Sequence, residues 1–184
     1  MKEIIEEIRK KVFDECSNKE FIHHSWYWQH HIIPMLKISL ELADKLGIDK
    51  ELIELIVYLH DIAKIRGLDN HAEEGAKIAS EMLQDIQEKK LILECIAKHN
   101  KPSENDSVEV KLIASADAVS HFLSPFFEIY LWENPDKPFD ELCTSNIRKA
   151  EKDWKRILLP EAQEMAREEY ENVKKRYEVE QKWQ

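Results

Sequence analysis

The chain has 184 residues, with 43% hydrophobic and 35% charged positions but only three glycines and six prolines. That length suits one domain with a sizeable core, and so little glycine argues against a β-sandwich or barrel, which needs frequent turns. Acidic residues outnumber basic ones 37 to 27, a formal charge of −10 that makes a poor general binder of nucleic acid, since that affinity comes mostly from Lys and Arg on phosphates.

No apolar run approaches the roughly 20 residues a membrane span needs. The start, Met1-Lys2-Glu3-Ile4-Ile5-Glu6-Glu7, is charged and periodic, unlike a secretory signal. Cys16, Cys95 and Cys143 are far apart, odd in number and free of any CxxC spacing. They read as buried thiols in a reducing, cytoplasmic setting.

In chain order the apolar periodicity is helical throughout. The first helix is predicted over about Lys2–Cys16, followed by an aromatic segment from Phe21 to Trp28. A second covers about His31–Leu46, with Pro34 in its first turn and Gly47 at its end. A third, capped by Asp49, runs over about Lys50–Ile65. Asn70 with Glu73 resembles a capping box opening a helix to about Gln87. Further helices are expected over about Lys89–His99, over Val108–Trp132 with a bend at Pro125, and over Phe139–Leu159 and Pro160–Tyr177. The tail from Glu168 to Gln184 reads as a solvated helical face. The whole is predicted to be all-α, a single domain over 1–184, with helices of about 138–180 packed on a core of about 20–125.

The eight histidines are more informative by phase than by number. From His30 one face runs through Pro34, Lys37, Glu41 and Asp44, which is solvated; from His31 it runs through Met35, Ile38 and Leu42, which is core. His31 therefore points inward. His60-Asp61 sits in a helix that is apolar nearly all round, sharing a face with Ile53, Ile56 and Val57. Asp117 lies among Ile113, Ala114, Ser120 and His121; His71 leads to Gly75, Ile78 and Met82; His99 follows Ile92, Cys95 and Ile96.

A buried carboxylate costs several kcal/mol unless a cation or several donors compensate it. Lys64 is the only local cation beside Asp61, so a metal ion is the simplest partner. Imidazole and carboxylate together suit a first-row transition metal, and carboxylates also suit Mg²⁺. A lone inward histidine is more often a hydrogen-bonded core residue, but five inward polar positions would each need a buried partner of their own.

The order His31, His60-Asp61, Asp117 resembles the HD-domain superfamily of metal-dependent phosphohydrolases. The local contexts are similar too: Leu59-His60-Asp61-Ile62-Ala63-Lys64 looks like the signature, Asn70-His71-Ala72-Glu73-Glu74-Gly75-Ala76 and Ala97-Lys98-His99 resemble the accessory histidine segments, and Ser115-Ala116-Asp117 the closing aspartate. The resemblance covers about residues 20–125 and implies an HD-type helical bundle with one divalent metal (Mn, Fe, Co, Ni, Zn or Mg) held by His31, His60, Asp61 and Asp117. It implies attack of metal-bound water on a small phosphate ester, with a nucleotide favoured. Asp61, Lys64 and His71 would be catalytic. His71 and His99 would meet the substrate or, alternatively, ligate a second metal; by position, Lys64 one turn after His60 would also meet the substrate, and His121 one turn after Asp117 would meet it or orient Asp117.

There are departures. Pro34 stands where arginine is frequent, Ala63 where glycine is common, and His99-Asn100 where two adjacent histidines often complete a two-metal site. No glycine-tyrosine-proline motif of the cyclic-dinucleotide branch occurs. Lys64 also fits an exposed helix-end lysine, His121 a satisfied histidine, and the cluster from Phe21 to Trp28 either a nucleobase stack or a core closure. The rival readings are a non-catalytic ligand-sensing module and a di-iron oxygenase on the same scaffold. Neither a nucleic-acid nor a membrane partner is expected.

Overall fold

Helix propensity and apolar stripes account for most elements, and the stripes dictate how they pack. The computed structural model describes residues 1–84 and 86–178, and among these there is no strand: the fold is all-α. Helix α1 (Lys2–Cys16) turns Ile5, Ile8, Val12 and Cys16 inward, three or four positions apart, and packs on α3 (Lys50–Leu59). The aromatic segment leads into one turn of π-helix, Trp28–Ile32, which continues directly into α2 (Ile33–Leu46). Gly47 ends α2 at φ 69, a left-handed position glycine takes without a Cβ clash.

Asp49 caps α3 by accepting the Glu51 N–H at 2.9 Å. Leu52, Ile53 and every residue from Leu55 to Leu59 are buried, so this helix is central. Each such Leu or Ile contributes about 1.5–3 kcal/mol through burial. The one helix expected over Lys50–Ile65 is in fact broken: α3 stops at Leu59, Asp61 has φ −114 and ψ 20, and a short α4 (Ile62–Ile65) follows. No Gly or Pro marks this break. The contacts of His60 and Asp61 described below take the place of helical ones.

Asn70 forms no capping box. It takes φ 51, a left-handed conformation asparagine tolerates, and its side chain caps nothing. Helix α5 (His71–Met82) is shorter than expected, because Leu83 turns extended and buries in the core. It packs on α6 (Lys89–Lys98) through Gly75, where a Cβ would stand 3.3 Å from Ile96 Cγ2 and 3.6 Å from the His60 carbonyl. Glycine thus lets α5 approach the chain break closely.

Helix α7 (Val108–Phe122), capped by Ser107, is buried from Leu112 to Phe122. Its small residues Ala114, Ser115, Ala116 and Ala118 admit close neighbours, and it packs on α2, α3 and α6. The expected bend at Pro125 is a full interruption, with α8 (Phe126–Glu133) starting after it.

Helix α9 (Phe139–Trp154) ends before the expected Leu159, because the Leu158 and Leu159 N–H groups donate to Ser115 Oγ at 3.0 and 3.4 Å and pin the turn to α7. Helix α10 (Pro160–Tyr177) also packs on α7 and α9. It buries Val173 and Tyr177, so the tail is not wholly a solvated face, and 179–184 lie outside the described residues. Among the described residues no helix is long and apolar enough to cross a membrane.

Candidate metal centre

Each polar side chain of the interior is delivered by a local feature. His31 comes from the π-turn, and such turns are frequent at functional sites. His60 and Asp61 occupy the break between α3 and α4, His71 opens α5 and His99 follows α6. Asp117 and His121 lie one turn apart on α7. His31, His60, Asp61, His99, Asp117 and His121 are all buried, and His71 is half-buried. His30 is less buried than His31, in keeping with its solvated face.

The donor atoms converge. His31 Nε2 lies 3.3 Å from His60 Nε2, 3.7 Å from Asp61 Oδ2 and 3.5 Å from Asp117 Oδ1, and His60 Nε2 lies 3.4 Å from Asp61 Oδ2. Two ligands about 2.1 Å from one ion are separated by about 3.0 Å when adjacent in an octahedron and about 3.4 Å in a tetrahedron. The spacing is of that size. The other carboxylate oxygen, Asp61 Oδ1, faces His71 Nε2 and His99 Nε2 at 3.5 Å each.

The outer nitrogens settle which lone pairs point inward. His60 Nδ1 donates to the Val57 carbonyl and His99 Nδ1 to the Ile96 carbonyl, both at 2.7 Å. Ser120 Oγ uses its hydrogen on the Asp117 carbonyl at 2.7 Å, so it accepts from His31 Nδ1 at 3.2 Å. In its neutral form each ring then aims a bare Nε2 at carboxylate oxygens, which also only accept. Asp61 Oδ1 is buried with no hydrogen-bond partner. Acceptors converging on acceptors call for a cation, and histidines tied at Nδ1 are the usual way of holding metal ligands. The residues present therefore fit a divalent ion.

The field agrees. Burial holds His31 down to about 3, in its ligating neutral form. Burial also lowers His60, but Asp61 and Asp117 outweigh it and raise that pKa overall. Burial works against ionised Asp61, yet Lys64, His60 and His31 hold its carboxyl well below the usual range. For Asp117, Arg156, His121 and His31 likewise overcome burial.

Protein groups contribute charge and hydrogen bonds that the sequence reading did not anticipate. Tyr27 O–H donates to Asp61 Oδ2, joined there by Lys64 Nζ at 3.2 Å. Burial and Asp61 push the Tyr27 phenol well above its ordinary value. Arg156 bonds Asp117 Oδ2 and also donates to the His99 carbonyl at 3.2 Å. Asp153 accepts from His121 Nδ1 at 2.9 Å, and Lys149 and Arg156 balance its charge. Asp117 thus has a full protein counterion in Arg156, which the sequence reading, with Lys64 and a metal as the partners of the buried carboxylates, did not foresee. Tyr27 could have been found from its place four residues before His31; Asp153 and Arg156 carried no local signal.

All the predicted polar positions gather in one interior. Lys64 lies at its edge, with its side chain 35% exposed and its ammonium 4.9 Å from the Tyr27 ring centre.

A model of the HD domain matches residues 28–121, just over half of the chain. The chain belongs to the HD-domain family. That membership supports a metal-dependent hydrolase, and the His/Asp cluster is of the kind that holds a divalent metal. Over 92 residues the chain is 35% identical to Ribonuclease Y of Clostridium botulinum (strain Hall), covering 49% of this chain and 17% of that protein. Over 93 residues it is 32% identical to Ribonuclease Y of Mycoplasma mycoides subsp. mycoides SC, and over 95 residues 37% identical to Ribonuclease Y of Clostridium novyi (strain NT). Those matches cover 49% and 47% of this chain and 18% of each relative, so the HD-domain chain spans under a fifth of these relatives. No solved structure matches. Lys149, Asp153 and Arg156 lie beyond the family match.

Proposed function

We propose that the chain is a metal-dependent phosphohydrolase acting on a small phosphate ester, with a nucleotide favoured. His31, His60, Asp61 and Asp117 hold the ion, whose identity among Mn, Fe, Co, Ni, Zn and Mg stays open. Bound there, the ion supplies a Lewis acid and a source of hydroxide near neutral pH. Lys64 neutralises the substrate's phosphate as a point charge. His71 and His99 steady that phosphate or, sharing Asp61 Oδ1, hold a second ion. The protein operates in the cytoplasm.

The observation that carries the nucleotide reading is the cleft at Lys64. A cavity of about 290 Å³ runs from Lys64 and His23 to the aromatic rings of Trp26, Phe126 and Tyr130. Glu133 at its wall accepts from Trp26 Nε1 at 2.6 Å and is bonded by His23 Nδ1 at 2.8 Å. A cation beside the carboxylates and a ring-lined space beyond it suit a phosphate joined to a planar heterocycle. The Ribonuclease Y relatives favour a second reading, cleavage of an RNA phosphodiester; a charge of −10 weighs against it.

The test is phosphate release from a panel of nucleotides with Mn²⁺, Co²⁺, Ni²⁺ and Mg²⁺ added in turn, alongside a labelled RNA. Metal-dependent release from mononucleotides is expected. RNA cleavage without it favours the second reading. Nucleotide binding without turnover makes the chain a sensor, and iron-dependent oxygen consumption makes it an oxygenase; either overturns the hydrolase.

A further inference from the structure

Beyond the ligand set above, we propose that His121 is a further metal-ligating side chain, aimed by Asp153 and extending the centre along α7. The inference rests on the reading that this interior holds a divalent metal.

The donor geometry carries it. His121 is 4% exposed and Asp153 is fully buried. Asp153 Oδ1 takes Lys149 at 2.6 Å and Arg156 at 3.1 Å, two cations that keep it a carboxylate and so an acceptor only. His121 Nδ1 donates to Asp153 Oδ2 at 2.9 Å, the shorter of its two contacts; Lys149 Nζ, 3.1 Å from the same nitrogen, spends its hydrogens on the nearer Asp153 oxygens. That leaves a lone pair on Nε2, which is buried and has no hydrogen-bond partner. The nearest acidic atom is Asp117 Oδ1 at 3.8 Å, itself an acceptor, because Arg156 occupies the other oxygen, Oδ2. One donor atom each from His31, Asp117 and His121 lies within 4.8 Å of the others.

A core histidine satisfied by hydrogen bonds would find a donor for Nε2; none of the described residues supplies one. A carboxylate on the far nitrogen is the usual means of fixing the tautomer and ring direction of a metal ligand. The Phe126 ring, 3.9 Å from the imidazole centre, holds the same orientation from the side. Asp153 comes from α9, outside the family match, so this arm is supplied by the chain's own C-terminal part.

The chemical consequence is a nitrogen-richer centre. With His121 added to His31 and His60, imidazole outweighs carboxylate, which favours a first-row transition metal over Mg²⁺.

Titration calorimetry and visible absorption with Co²⁺ on the full chain test this, with His60→Ala as the reference for the ligand set above. Wild type is expected to bind Co²⁺. His121→Ala is expected to weaken it by about 10–100-fold and to alter the visible spectrum, and Asp153→Asn to weaken it by about tenfold. Mg²⁺ binding should change less, so the preference for Co²⁺ falls in both variants. Metal-free melting curves separate this from a packing defect, and His121→Asn serves if the alanine variant does not fold. If His60→Ala loses Co²⁺ while both His121 variants keep wild-type affinity and spectrum, the inference is overturned and the metal reading stands. If wild type itself binds no Co²⁺, both fall.

Discussion

Asp61 and Asp117 are buried carboxylates that face the same histidine, yet the two regions around them are built differently. At the break between α3 and α4, Asp61 is served by Lys64 three residues on and by Tyr27, which enters with His31 from 34 positions back, and Oδ1 is left without a partner. On α7, Asp117 is clamped by Arg156 from beyond α9, and the same arginine supports Asp153 and the His99 carbonyl. The first region is under-satisfied and open at Lys64, as a reacting site requires. The second is cross-braced by Arg156 and closed to solvent, and its unpartnered His121 Nε2 faces the same interior. Removing Lys64 or His71 from the first should cost function above all, and removing the brace Arg156 from the second should cost stability.

The largest expected effect is at Asp61, the one carboxylate that faces both histidine pairs. Asp61→Ala should abolish metal binding and hydrolysis, while His30→Ala on the outer face changes both less than about twofold. Metal analysis and phosphate release on the purified variants check it, and equal metal loss in the two would break the distinction.

Next is His71, half-buried at the open side. His71→Ala should fold, keep about one metal per chain and lose about 10²–10⁴-fold in rate, the range of a positioned acid–base or electrostatic group. Near-normal turnover with a lowered melting temperature would move it to the structural side.

Arg156 probes the closed region. Arg156→Met strands Asp117 and leaves Asp153 to Lys149 and His121, and breaking a buried pair from one side costs about 3–5 kcal/mol. Urea unfolding should show that loss, whereas Lys64→Met, itself at a half-open edge and with its partner Asp61 still bonded by Tyr27, should lose far less stability and mainly raise KM. A larger loss at Lys64 would reverse the comparison.

The smallest effect concerns acid. Burial opposes the ionised form of Asp153, but His121, Lys149 and Arg156 prevail and bring its carboxyl from 3.8 down to about 2. Ionised Asp153 therefore stabilises the fold fully above about pH 4, and that contribution is lost as pH falls through about 2. Between those values Asp153→Asn should lose stability less steeply than wild type, as followed by melting temperature.

The sequence was legible wherever a signal was local. Apolar stripes placed α1 at Lys2–Cys16 and α10 at Pro160–Tyr177, and helical phase alone turned His31, His60, Asp61, His99 and Asp117 inward. It failed where a local signal was overruled. Leu59-His60-Asp61-Ile62 contains no breaker, yet the helix breaks there, because His60 and Asp61 exchange helical bonds for contacts with Val57, Tyr27 and Lys64. Asn70 and Glu73 have the letters of a capping box, but the left-handed turn at Asn70 prevents it.

The class of fold and the residue types of the interior were thus determined by the sequence by itself, since amphipathic period and the cost of burying charge act over a few turns of helix. The tertiary structure alone decided that Arg156 stands against Asp117 and Asp153 against His121. Arg156 is 39 positions from Asp117, and Asp153 is 32 from His121. Nothing in helical phase encodes such pairings, because they arise only when α9 folds back across α7 and the interior excludes the water that would otherwise have solvated all four.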